Sequence, residues 1–515
     1  MKKTERRKGI VRDCAGEKGR KGICLILLLV GMGMMIPCYL FTAANVTLSP
    51  WPLYERNRLL LCLLTALFLP LLLFAMRAAD RGEAFFARHE RGILLGVAAF
   101  YFIVQLLMAQ ALRFEPKTDA EQCFTAAQRL VDTGTFGDSE RSVTYFTRYP
   151  HNLGLVYALA AIFRFFGFFG LTDRFMQAAF ACGLLFTLGL LSAARVCRRL
   201  GGVRAQTRFL LLCLTCLPLL YCTSELYTDA FSLAFPPVIV LCMFRVREAQ
   251  TVKGRVLWAA LFAASSFVGA QLRFPSIIVS VACLLALLFG LRIRLTALCA
   301  AALAAAFAIG GAAMDAQTAR HLPAEEIAQN ELPKLHYIAM GLPVHEDEGY
   351  GQYGYGGWLI FSTSFEDPDE RRAALLSEVI DRIYYLRYPS RLLNMLSRKN
   401  LSTFGDGTFG LNEIIESDAH EADNAVKQLI FDGGALHAAY THVCTALFVC
   451  QMLLACLSCV QRIRRKETLA SPLAIALLGA FLFLCIWETR SRYYFQFMLV
   501  LLSMAALLEM PKKKA

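Results

Sequence analysis

Two short acidic motifs carry the strongest chemical signal in the chain. Lys117-Thr118-Asp119-Ala120-Glu121 sets two carboxylates two residues apart, directly after a long apolar run. A carboxylate within hydrogen-bond reach of a hydroxyl can take its proton, and a pair of them can hold a metal ion. The competing structural role is a helix cap, in which Thr118 or Asp119 satisfies the free N–H groups of a helix over Ala120–Thr133. The second motif is Ser224-Glu225-Leu226-Tyr227-Thr228-Asp229. Asp229, with Glu225 beside it, is either a second functional acid or the cap of a helix over Ala230–Arg245.

The cationic candidates are Arg148, Arg273, Lys399, Arg490 and Arg492. Arginine and lysine bind phosphate oxygens through charge-assisted hydrogen bonds. Arg148 lies in Tyr145-Phe146-Thr147-Arg148-Tyr149-Pro150-His151-Asn152, Arg273 ends one apolar run just before Pro275 opens the next, and Arg490 and Arg492 fall in Glu488-Thr489-Arg490-Ser491-Arg492-Tyr493-Tyr494. A charge at the edge of an apolar run is costly, so it is paired or functional. The alternatives are snorkelling to an interface and an ion pair with Glu488. His151, His336 and His345 are far apart, with no His-x-x-x-His spacing, and a metal site stays open. The 18 cysteines mostly sit inside apolar runs, including the pairs Cys213/Cys216 and Cys456/Cys459, where a thiol acts as a small hydrophobe.

The elements that must position these groups follow from composition. Hydrophobic residues make up 57% of 515, and mean hydropathy is +0.48. The excess falls in blocks of roughly 17–24 residues, the length that crosses a hydrocarbon core of about 30 Å. Candidate spans are 23–45, 58–78, 92–112, 175–197, 208–224, 229–246, 256–273, 275–291, 295–314, 437–460, 468–487 and 494–510. The net charge of +13 has its source in short basic loops. With the basic N-terminus inside, the loops around Arg77–Arg91, Arg195–Arg208, Arg245–Arg255, Arg292–Arg294, Arg462–Lys466 and Lys512–Lys514 all fall on one side, as topology selection requires. No nucleic-acid-binding pattern accompanies the charge. The apolar run Asn152–Gly170 breaks this count if it crosses, so it is expected to be re-entrant or interfacial, enclosed by protein. Two outer segments remain: 113–151, and Asp315–Gly433 with its Gly-Tyr run at Gly349–Gly357. A helix is expected over Asp369–Arg387, ended by Pro389.

The order of acidic pair, helix, Gly-containing turn at Gly134–Gly137, Tyr/Pro-rich motif and apolar segment resembles the GT-C superfamily of membrane glycosyltransferases. That superfamily includes the protein O-mannosyltransferases of glycosyltransferase family 39 and the aminoarabinose transferases of lipid A. The second acidic motif at a helix end, and the Glu/Arg/Tyr motif opening the last helix, resemble it too. One departure is Ala120, which separates acids that are adjacent in the closest families. The resemblance implies an all-α polytopic membrane protein: a bundle of about 12 transmembrane helices, a re-entrant or interfacial segment, and a small extracytoplasmic α or α+β region. Its parts are a transmembrane module over 1–314, an outer region over 315–433 and C-terminal helices over 434–515.

The implied activity is sugar transfer, with inversion, from a polyprenyl-phosphate donor to a hydroxyl on a glycan, lipid or protein acceptor. The site would face outward from a plasma membrane, with both termini cytoplasmic. Asp119 would be the general base, with Glu121 and Asp229 as further catalytic acids. Arg148, Tyr149, His151, Glu225, Tyr227, Arg273, Lys399, Glu488, Arg490, Arg492 and Tyr493 would bind substrate, and Trp358 and the Gly-Tyr run would stack on sugar rings. No cofactor is certain, although some members of the superfamily use a divalent metal ion. Other function classes for such a chain are a transporter or lipid flippase, a non-catalytic envelope assembly protein and a membrane hydrolase. A transporter would carry two symmetric halves and acids at mid-membrane. Neither is evident.

Overall fold

The computed structural model describes residues 2–49, 57–113, 116–136, 140–345, 347–411, 424–431 and 433–511. The basic tail Lys512–Lys514 and part of the turn Gly134–Gly137 lie outside them. The described chain is helical throughout. The main helices are α1 (Lys2–Leu48), α2 (Arg58–Arg81), α3 (Glu90–Ala111), α4 (Thr118–Asp132), α5 (Glu140–Arg148), α6 (Leu153–Phe168), α7 (Arg174–Leu214), α8 (Phe235–Glu248), α9 (Val252–Leu272), α10 (Ile277–Phe289), α11 (Ile293–Thr318), α12 (Lys334–Gly341), α13 (Pro368–Tyr385), α14 (Pro389–Phe404), α15 (His437–Arg464), α16 (Ser471–Ile486) and α17 (Met498–Ala506).

Among the described residues, nine helical runs are long and apolar enough to cross a membrane, and two shorter apolar helices, Phe274–Phe289 and Ser471–Ile486, join them. The chain is an all-α polytopic membrane protein. Several spans differ from expectation. The runs expected at 175–197 and 208–224 belong to one element, α7, which bends at Gly201 and Gly202, where Gly202 has φ +72°. The later run is helical only to Leu214. It then unwinds through two short 3-10 turns, Leu217–Leu220 and Cys222–Ser224, and is almost wholly buried. Irregular backbone within a membrane protein is tolerated where other protein encloses it. The last expected span, 494–510, is likewise broken into Arg492–Phe495 and α17.

The basic loops meet at one end of the bundle. Arg204 pairs with Glu83, Arg208 with Asp80, Arg198 with Glu90, Arg199 with Glu248, and Arg462 and Arg465 with Glu509. This fixes the course of α6. Pro150–Phe168 is long enough to cross by length and composition. Yet Glu90 at the start of α3 meets Arg198 in α7, and Arg113 just beyond α3 meets Asp173, the N-cap of α7, at 2.8 Å. Helices α3 and α7 are therefore antiparallel neighbours, and everything between them returns to the end it left. At 16 residues, α6 is about 24 Å long. It lies against α4 and makes no net crossing, as the charge pattern requires.

The outer segment is not a separate body. Its described part is helical, with no strand. The expected helix is α13, and Pro389 opens α14, where its missing N–H costs nothing. The far end of α14 and residues up to Leu411 are buried against α1, α15 and α16. Gly341, ending α12, packs so closely on the backbone of Ile486, Trp487 and Glu488 that a Cβ has no room.

Candidate active site at one membrane end

Asp119 sits in the first turn of α4, but neither it nor Thr118 caps the helix. Lys117 is the N-cap and no side chain there accepts a cap bond. Instead the Asp119 carboxylate accepts hydrogen bonds from Tyr145 (2.8 Å to Oδ1) and Tyr227 (3.4 Å to Oδ2). Asn152 completes the cluster, donating from Nδ2 to the Tyr145 hydroxyl at 2.7 Å and accepting from Tyr227 at 3.3 Å. Two residues beside these groups, Thr118 (φ +56°) and Leu226 (φ +49°), are left-handed without being glycine. Such backbone costs about 1–3 kcal/mol each and persists where the surroundings over-determine it. Asp119, Gln122, Tyr145, Arg148 and Tyr149 line a cavity of about 490 Å³.

Behind this cluster lies a second, buried one. Asp229 is also no cap, since Tyr227 holds that position with no side-chain bond. Its fully buried carboxylate faces Arg273 Nε at 2.8 Å and Arg492 Nε at 3.9 Å, as ion pairs rather than aligned hydrogen bonds. Arg273 also donates to Thr228 Oγ1 at 2.9 Å and lies 4.4 Å over the Tyr493 ring. Arg492 lies over Tyr227 and Tyr493. Tyr493 donates to Glu488 at 2.5 Å. Glu225 is fully buried, and its carboxyl is held well above the usual range by burial and then by the Asp229 charge. Burial likewise raises Glu488, against the pull of its Tyr493 bond. The two clusters touch through Tyr227, which binds Asp119 with its hydroxyl and meets Arg492 with its ring.

Residues far apart in sequence close the rim. The Tyr149 hydroxyl bonds that of Tyr353 at 2.7 Å, and Arg490 donates to the Tyr353 carbonyl at 3.1 Å. His151 is exposed, with its ring edge-on to Tyr149 and Tyr337, and Tyr337 stacks on Trp487. Burial pushes the Tyr145 and Tyr149 hydroxyls up, so both stay protonated.

Some expected site residues fall elsewhere. Glu121 is exposed, and no hydrogen bond or ion pair ties it to the cluster among the described residues. The ammonium of Lys399 is buried away from the cavity, donating to the carbonyls of Gly341 and Trp487. Trp358 cannot stack on a sugar, because it is a core residue beneath Arg382, 4.4 Å from the guanidinium. In the Gly-Tyr run it is Tyr353 that reaches the site. Tyr145 and Asn152 were visible within the motif that holds Arg148, but nothing in their spacing marks them as partners of Asp119.

No group of three or more His, Cys, Asp or Glu among the described residues is placed to hold a metal ion. The donor set also fits one poorly: Asp119 accepts from two hydroxyls and Asp229 is taken by two arginines. The 17 cysteines from Cys24 to Cys485 are all free thiols.

A family model described as conserved hypothetical integral membrane protein matches residues 55–513. The chain belongs to that family. No curated protein matches it. Among solved structures, the chain is similar to the crystal structure of ArnT from Cupriavidus metallidurans bound to undecaprenyl phosphate, at 14% identity over 81% of this chain and 78% of that one, with a TM-score of 0.35. The apo structure of the same protein gives 15% identity over 82% and 78%, again with a TM-score of 0.35. Superposition at that level is too loose to carry over a residue or a substrate.

Proposed function

We propose that this membrane protein transfers a sugar from a polyprenyl-phosphate-linked donor to a hydroxyl acceptor at the membrane face that holds the cavity, with inversion at the anomeric carbon. The observation that supports this most is that one cavity presents a carboxylate and a guanidinium together. Asp119 is held there by two tyrosine hydroxyls, and Arg148 has a buried Nε with no hydrogen-bond partner. These are the two charges the reaction needs.

In the proposed step, Asp119 takes the proton of the acceptor hydroxyl as its oxygen attacks the anomeric carbon. The bond from that carbon to the phosphate oxygen breaks, and the electron pair leaves with the lipid phosphate. Arg148 stabilises the charge that grows on the phosphate. Arg273 and Arg492 act one layer back. Their pairing with Asp229 fixes Tyr227, which orients Asp119. Arg490 and Tyr149 hold Tyr353 beside the cavity wall, where its ring would face an acceptor sugar.

The test is transfer by purified, reconstituted protein from a panel of polyprenyl-phosphate sugars, with Asp119→Asn beside the wild type. Consumption of one donor by the wild type, with a loss of about 100-fold or more in a folded Asp119→Asn protein, supports both the reaction and the base. Equal rates would remove Asp119 from the mechanism. A panel in which no donor is consumed, alongside facilitated movement of the lipid across the vesicle, would replace the transferase reading with a flippase.

A further inference from the structure

Helix α13 is amphipathic in a way its packing does not require. Leu375, Val379, Arg382 and Leu386 form its buried face. The rest of its surface should be polar, but Leu376, Ile380, Ile383 and Tyr384 recur beside the buried face at helical spacing and are exposed, Ile383 at 58% and Tyr384 at 64%. The patch continues over the corner into α14 through Tyr388, Leu392 and Leu393, also exposed. Two arginines are stacked among the rings: Arg387 lies 3.5 Å over Tyr384 and 4.4 Å over Tyr388, and Arg391 lies 4.1 Å over Tyr385 and 4.7 Å over Tyr388. A contiguous exposed apolar face of this kind marks an interaction surface.

The position of α14 says what covers it. Asn45 Nδ2 of α1 donates to the Ser397 carbonyl at 2.7 Å, and Asn400 Nδ2 donates to Thr42 Oγ1 at 2.8 Å. As α1 advances from Thr42 to Asn45, α14 runs back from Asn400 to Ser397, so the two are antiparallel. At about 1.5 Å per residue, Leu393 lies level with the end of α1, and Tyr388 about 9 Å beyond Leu48. Leu48 is itself exposed, on a helix of spanning length. The patch thus continues the bilayer-facing surface of α1 outward, by about the depth of a headgroup layer. Tyrosine and arginine over aliphatic side chains is the composition suited to that layer, where rings sit at headgroup level and guanidinium groups meet phosphates.

We propose that the α13–α14 corner is a membrane-interface anchor. Its aliphatic side chains insert among the upper acyl chains, and Arg387 and Arg391 bind anionic phospholipid headgroups, on the same membrane face as the Asp119 cavity. The outer region is then held by the bilayer on one side and by the bundle on the other.

The test places a photo-crosslinking amino acid at Ile383, at Leu393 and, for comparison, at Asp369, which lies exposed at the far end of α13. Full-length protein is reconstituted in nanodiscs of phosphatidylcholine with or without phosphatidylglycerol, and adducts are read by mass spectrometry. Lipid adducts at Ile383 and Leu393 well above those at Asp369 are expected. The double charge reversal Arg387→Glu/Arg391→Glu should lose adduct yield in the anionic discs only. Protein adducts in place of lipid would overturn the proposal in favour of a second copy or a protein partner. Absence of lipid adducts at both positions would overturn it outright, and a charge reversal without effect would remove the headgroup assignment.

Discussion

Replacing Arg273 by Met separates two roles that a buried arginine near an active site can have. Its Nε lies 2.8 Å from Asp229, with Arg492 at 3.9 Å. At an effective dielectric constant of about 20, those distances correspond to gross attractions of about 6 and 4 kcal/mol. Desolvation of the charges cancels much of this, and removing one partner of such a buried pair costs about 3–5 kcal/mol. Glu225 and Asp229 would then share Arg492 alone. If Arg273 is mainly the counter-charge of Asp229, Arg273→Met should lower the thermal midpoint of the detergent-solubilised protein strongly, and adding Asp229→Leu should recover a large part of the loss. The double-mutant cycle should return a coupling of at least 2 kcal/mol, at the upper end of the range for contacting residues. An Arg273→Met protein with an unchanged midpoint would refute this reasoning. Were it also to bind polyprenyl phosphate more weakly, Arg273 would belong with Arg148 as a phosphate ligand.

Two further outcomes follow from the outer region. Glu348 accepts from Arg382 and from the backbone N–H groups of Val344 and His345; burial would raise its carboxyl, but these bonds bring it below the usual range. A lowered folded value means the contribution to stability is complete above the unfolded value, near about pH 4.3, and fades as pH falls through the folded value. Acid below about pH 4 should therefore loosen the α12–α13 packing, read by hydrogen exchange, and Glu348→Gln should remove that acid sensitivity while lowering protection at neutral pH. Gly341→Ala should force the α12 end away from the Trp487 and Glu488 backbone and cost about 1–3 kcal/mol. Its readout is faster exchange at Glu488, whose N–H bonds the Tyr337 carbonyl, and an unaffected midpoint and exchange rate would contradict the close approach.

Features that depend on neighbours along the chain are legible in the order of residues alone. Span length and hydropathy announced helices such as α1, α2, α3, α11 and α15, because crossing a bilayer is a requirement on a continuous stretch of residues. The basic loops announced that one end of the bundle would gather them, and with that the failure of α6 to cross. Pro389 announced the end of α13.

Features that depend on partners far apart in the chain emerge only with the fold. For Asp119 and Asp229 the competing role was a cap, and the choice was made by Tyr145 and Tyr227 for the first and by Arg273 and Arg492 for the second. The run 208–224 was apolar enough for a helix, but it unwinds after Leu214, which is tolerated where surrounding protein, rather than lipid, encloses its backbone. Lys399 and Trp358 looked like ligands and are core residues, while Leu376, Ile380 and Ile383 of α13 are exposed beside its buried Leu375 and Val379. A residue type fixes the chemistry a side chain can perform; whether it performs it depends on which groups the fold sets within about 3 Å of it.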